Sequence, residues 1–172
     1  MSGMSVRLPE LSRRQANFLG FAACAAMMGY ALFVQYGEHL VPCNLCILQR
    51  MATIGIGLLF LVAALHSPVG WGARIYGALL ALASLAGAGT SIRHLWVQAQ
   101  PPGSIPPCGA PLEYLLKVFP MREALAKIFA GDPECQRVVW QLFGLSMPGW
   151  VMLCFIALGI WGVCFNFRIS RP

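Results

Sequence analysis

Four of the seven cysteines stand where sulfur chemistry is possible. Cys43 and Cys46 form a Cys-x-x-Cys in Pro42-Cys43-Asn44-Leu45-Cys46, and Cys108 and Cys135 bracket a longer stretch. A bridge across two intervening residues closes too small a loop to restrain an unfolded chain much. Such pairs instead commonly carry thiol–disulfide exchange through a lowered thiol pKa. The pair precedes an apolar run, so a helix starting there would aim its positive end at the sulfurs, with Arg50 one turn beyond Cys46 on the same face. Arg50 also has a plain reading as an interfacial anchor, but its spacing from Cys46 favours a part in the site. Four cysteines allow three pairings, and spacing does not choose among them. No second closely spaced pair or His-x-x-x-His completes a zinc site, so no metal is expected. Cys24, Cys154 and Cys164 fall inside apolar runs and read as packing residues.

The elements that must hold these thiols follow from composition. Hydrophobic residues make up 58% of the 172 and charged residues only 10%, too few charges to cover a water-facing surface. Disorder, collagen-like sequence and a secreted disulfide knot are excluded by the same balance. Positions 15–37, 51–73, 75–92 and 138–167 hold no Lys, Arg, Asp or Glu, and each run can accommodate the roughly 20 residues that cross a bilayer. The expected fold is an all-α, polytopic four-helix transmembrane bundle occupying the whole chain, with spans at about 17–36, 47–65, 72–92 and 147–165. Pro68 stops the second span near His66. The small residues Gly77, Ala81, Ser84, Gly87, Ala88 and Gly89 suit the third to close helix packing. Ser146 can cap the fourth, and Pro148 fits its first turn. The first run is too long for a signal-peptide core and reads as an uncleaved anchor.

Basic residues set the orientation. Both tails and the short second loop carry Arg7, Arg13, Arg14, Arg74, Arg168 and Arg171 against Glu10, while the charges of the other side nearly cancel. The positive-inside rule puts both termini in the cytoplasm. The net charge of +6 therefore reports topology, and no nucleic-acid partner is expected. Cys43, Cys46, Cys108 and Cys135 all fall on the opposite side, in loops at about 37–46 and 93–146, which in a bacterium face the oxidising periplasm. In the second of these loops, apolar residues from Leu112 to Phe129 recur at helical spacing, predicting a short amphipathic surface helix broken near Pro120. Before it, Gln100 to Pro107 is too proline-rich for helix and suits an exposed arm presenting Cys108. A structural staple between Cys108 and Cys135 is the plainer alternative.

Taken together, the chain resembles the disulfide bond formation protein B (DsbB) family, bacterial inner-membrane thiol:quinone oxidoreductases that reoxidise the periplasmic oxidant DsbA. The resemblance rests on four crossings, a Cys-x-x-Cys in the first outer loop followed by Gln49-Arg50, two cysteines bracketing the second loop, and Phe143-Gly144-Leu145-Ser146-Met147-Pro148-Gly149-Trp150 opening the last helix. It implies a catalytic set of Cys43, Cys46, Cys108 and Cys135. Cys46 would face a membrane quinone, ubiquinone or menaquinone, with Arg50 beside it. Cys108 would form the mixed disulfide with a DsbA-like partner, and Cys135 would exchange with Cys43. His94 stands where the family also has a histidine near the quinone. Cysteines inside the spans depart from the family's motif. Two rivals are a quinone-linked enzyme of the vitamin K epoxide reductase type, whose Cys-x-x-Cys comes late in the chain, and a non-enzymatic scaffold whose loop disulfides are structural.

Overall fold

The computed structural model describes residues 11–39, 41–101, 104 and 112–167. Cys108 and most of the proline-rich arm lie outside them. Four helices are long and apolar enough to cross a membrane: α1 (Arg13–Gly37), α2 (Asn44–His66), α3 (Trp71–Gln98) and α7 (Met147–Phe167). Between α3 and α7 come three short helices, α4 (Leu112–Val118), α5 (Met121–Ala130) and α6 (Pro133–Gln136), and a hairpin of β1 (Gln141–Leu142) and β2 (Leu145–Ser146). The chain is an all-α, multi-pass membrane protein.

Helix ends follow local chemistry. At α1, Ser12 and Gln15 form a reciprocal capping box, which satisfies amides that hydrocarbon could not. At the far end of α2, Ser67 takes a left-handed conformation with Pro68 next, and the helix stops at His66. The third span runs past Arg93, where charge alone placed its end. Arg93 donates to the carbonyls of Phe129 and Ala130 and lies 4.1 Å over the Trp96 ring, so its charge is satisfied on the helix. At 28 residues α3 is roughly 42 Å long and stands clear of a 30 Å hydrocarbon layer.

The core forms where α3 meets α7 and α1 meets α2. Phe60, Leu80 and Phe155 are fully buried there with Ile56 and Cys24. Small residues set the approach: a Cβ at Gly87 would stand 2.9 Å from the Phe155 ring, and one at Gly159 would stand 3.0 Å from Ser84 Cβ. Such contact replaces the hydrophobic driving force that lipid removes. Near the chain termini, α1 and α7 are pinned by a reciprocal amide pair, Asn17 with Asn166 at 3.1 and 2.9 Å. The Trp161 indole N–H also donates to the Ala16 carbonyl at 2.9 Å.

At the other end, Pro120 separates α4 from α5, and their apolar faces meet over Leu115, Ala124 and Ile128 with Leu48 of α2. Ser146 does not serve the cap expected of it from sequence: its hydroxyl donates to Gln98 Oε1 at 2.7 Å, tying the hairpin to the end of α3. The β1–β2 turn holds Phe143 and Gly144 at positive φ, as a two-residue hairpin loop requires.

Candidate active site

Cys43 is the N-cap of α2, and its sulfur accepts from the Cys46 amide at 3.4 Å. One turn of helix thereby aims both sulfurs the same way, with the Cys43 thiol 3.0 Å from Cys46 Sγ. Both sit at the positive end of the helix dipole, which favours thiolate.

Cys135 arrives from the long loop. Asp132 caps α6 by accepting from the Cys135 amide at 2.8 Å, Pro133 occupies the first turn, and the second carboxylate oxygen accepts from the Asn44 amide at 3.4 Å. One carboxylate thus serves the N-termini of α6 and α2 together, where two dipoles favour negative charge. Gly131, just before it, has φ +89°, and a Cβ there would stand 3.0 Å from Val97. Only glycine combines that conformation with so close an approach to α3. The result is a small core of Cys43, Leu45, Val97 and Cys135, in which the Cys135 and Cys43 thiols share a hydrogen bond. That bond, together with burial, pushes the Cys135 thiol well up from its ordinary value. At Cys43 the contact with Cys135 pulls down, but hydrogen bonding to Cys46 and burial outweigh it, and the net direction is up.

His94, one turn before the end of α3, is 2% exposed. Its Nε2 stands 3.2 Å from the Cys135 carbonyl and 3.8 Å from Cys43 Sγ. Nδ1 is buried without a hydrogen-bond partner among the described residues. An unpaired buried acceptor costs less than an unpaired N–H with the carbonyl also left unserved, so the tautomer carrying its proton on Nε2 is favoured.

Cys46 faces the other way as well. It lines a cavity of about 210 Å³ between α1, α2 and α7, whose wall also includes Met27, Tyr30, Arg50, Trp140 and Cys154. Arg50 is half-buried; it donates to the Gln35 side chain and, at 3.1 Å, to the Ala31 carbonyl, both on α1. Of five guanidinium N–H donors, these contacts take two, which leaves donors for an acceptor in a mostly apolar space. Trp140 packs edge-on to Tyr30 at 6.3 Å, and the Trp150 indole donates to the Leu142 carbonyl, so the hairpin closes this wall. A larger groove of about 610 Å³ lies at the other end of α1, lined by Leu11, Arg14, Phe18 and Leu65, with no cysteine or histidine in its wall.

Of the residues singled out from sequence, the structure brings together Cys43, Cys46, Cys135 and His94, with Arg50 on the cavity side of Cys46. Cys108 lies outside the described residues. His94, expected against a quinone, is not in the cavity wall; it backs the cysteines. Sequence reasoning passed over Asp132, although Asp-Pro-x-Cys is a readable helix start. It also passed over Gln35, Tyr30 and Trp140, which reach the site only through tertiary packing, and it assigned Cys154 to packing alone.

The family model described as disulfide bond formation protein DsbB matches residues 13–165. A disulfide bond formation protein B of Nitrosococcus oceani is 45% identical over 151 residues, covering 88% of this chain and 89% of that protein. One of Methylobacillus flagellatus is 43% identical over 155 residues, covering 90% and 93%. One of Hahella chejuensis is 43% identical over 163 residues, covering 94% and 97%.

Proposed function

The chain belongs to the DsbB family, and from that premise we propose that it is a membrane thiol:quinone oxidoreductase that reoxidises a periplasmic DsbA-like dithiol. Both termini lie in the cytoplasm of a bacterial cell with an inner membrane, and the cysteine end faces the periplasm. The observation that carries this reading is the double membership of Cys46, which touches Cys43 and also walls the cavity beside Arg50.

Electron flow follows from the contacts. A partner thiolate attacks Cys108, breaking its bridge to Cys135 and forming a mixed disulfide. The freed Cys135 thiolate attacks Cys43 of the Cys43–Cys46 disulfide, and Cys46 leaves as thiolate. The partner's second thiol then resolves the mixed disulfide and frees Cys108, which attacks Cys135 of the Cys135–Cys43 bond. The Cys108–Cys135 bridge re-forms, Cys43 and Cys46 are left as thiols, and two thiols of the partner are oxidised for two of this chain reduced. Asp132 and His94 act as positioning residues, holding Cys135 over Cys43 through its amide and its carbonyl. The α2 N-terminus and Arg50 favour charge on Cys46 as it leaves.

A quinone in the cavity supplies a two-electron, two-proton acceptor. Arg50 would hold its carbonyl oxygen, and Tyr30, Trp140 and Met27 would enclose its ring and exclude water. The test is anaerobic mixing of the purified protein in detergent with quinone and a reduced DsbA-like protein. Quinol formed in step with partner oxidation is expected; partner oxidation without quinol would overturn the reading.

A further inference from the structure

We propose that, with its thiols reduced, the chain binds one Zn²⁺-class metal ion through Cys43 Sγ, Cys46 Sγ and His94 Nε2, with a water in the fourth position. The three atoms lie within 4.8 Å of one another. Ordinary zinc bond lengths set the ligand spacings of a tetrahedral site at roughly 3.8 Å between two sulfurs and 3.6 Å from sulfur to nitrogen. Cys43 Sγ and His94 Nε2 are 3.8 Å apart, and the 3.0 Å between the sulfurs widens by a small rotation of the half-buried Cys46 side chain.

The ligand set is the soft sulfur and imidazole combination that selects zinc, cobalt or copper over magnesium and calcium. Spacing along the chain gave no hint of it, because the third ligand comes from another helix. No redox change is involved: the thiols give up their protons to solvent, the imidazole moves its proton from Nε2 to Nδ1 and gives up the Cys135 carbonyl so that Nε2 reaches the metal, and binding strengthens as pH rises. Where the function proposed above holds, metal capture also stalls the enzyme, since the same sulfurs must be free to re-form a disulfide.

The test uses the full chain in detergent, reduced with a phosphine under argon and titrated with Co²⁺. Expected is one Co²⁺ per chain with a thiolate-to-cobalt charge-transfer band and tetrahedral d–d bands, displaced by Zn²⁺ and absent from disulfide-oxidised protein. Cys43→Ser or Cys46→Ser should remove most of the charge-transfer intensity. His94→Gln, which keeps a donor for the Cys135 carbonyl, should weaken Co²⁺ by about 10- to 100-fold, at least the cost of losing a partner that merely orients a ligand. His39→Gln, His66→Gln and Cys164→Ser should leave it unchanged. An octahedral spectrum without the thiolate band, equal binding by oxidised protein, or indifference to Cys46→Ser would overturn the site. With no quinone or partner present, neither this result nor that of the quinol assay dictates the other.

Discussion

Cys43 caps its helix with its own sulfur, so the atom to be attacked is fixed by backbone geometry, within reach of Cys135 on one side and Cys46 on the other. Serine in place of Cys43, Cys46, Cys108 or Cys135 should reduce quinol formation to the uncatalysed background. Serine at Cys24 or Cys164 should leave it near wild type, as should serine at Cys154, which lines the cavity but lies outside the exchange route. A folded protein that needs Cys24 and dispenses with Cys135 would contradict the route. The raised Cys135 thiol predicts a pH dependence. When Cys43 is bridged to Cys46 its hydrogen bond is gone, yet burial still holds Cys135 up, so little thiolate exists near neutrality. Because the thiolate is the nucleophile, inward transfer in single turnover should rise about tenfold per pH unit from roughly pH 6 to 9. A rate flat across that range would mean that Cys135 is already ionised. The Cys-x-x-Cys and Arg50 were legible because their relation is local, one helical turn; the abutment of Cys135 on Cys43 was not, since it spans loop and bundle.

Among the elements, α6 is the shortest helix among the described residues and has the largest consequence. Four residues cannot sustain a helix unaided; α6 persists because Asp132 caps it and reaches α2, and because Gly131 lets it lie on Val97. Asp132→Ala removes a cap worth about 0.5–2 kcal/mol, so inward transfer from Cys135 should slow by about 2- to 30-fold. Oxidation of a prereduced Cys43/Cys46 pair by quinone should be unaffected. Stopped-flow comparison of the two half-reactions checks this, and equal slowing of both would refute the clamp. A complementary change, Gln35→Leu, removes one of the two ties between Arg50 and α1 and should raise the quinone KM while sparing inward transfer. Sequence could see the break at Pro120 and the amphipathic stretch around it, because periodicity and proline act locally. It placed the end of α3 too early because a charge normally marks the edge of a span, and here Arg93 stays on the helix and donates to the carbonyls of Phe129 and Ala130. Gln35 left no signal at all: a glutamine in an apolar run acquires meaning only once α2 delivers Arg50 to it.

Across the whole molecule, the four spans were readable because the thickness of hydrocarbon dictates their length and apolarity, whereas their lateral arrangement depends on pairs such as Gly87 with Phe155 that no single segment announces. The Asn17–Asn166 pair belongs to this scale. Asn17→Leu should cost about 1–3 kcal/mol by leaving a buried amide oxygen unpaired, while the double Asn17→Leu/Asn166→Leu variant should be closer to neutral. Unfolding midpoints in mixed micelles decide it, and a double variant worse than either single would refute the pairing. That pin also shapes what the opposite end can do. The helices α1 and α7 are fastened near the termini, and the cavity wall toward their other ends includes Tyr30, which is 47% exposed; on a span this apolar that opening should give onto acyl chains. Supply of an apolar ligand through such a gap is two-dimensional: what counts is its mole fraction among the lipids, because each buried methylene adds about 0.8 kcal/mol in favour of the bilayer. In proteoliposomes at fixed protein and fixed total quinone, added lipid should therefore slow turnover by surface dilution. The KM should then stay constant per lipid molecule while drifting when expressed per litre.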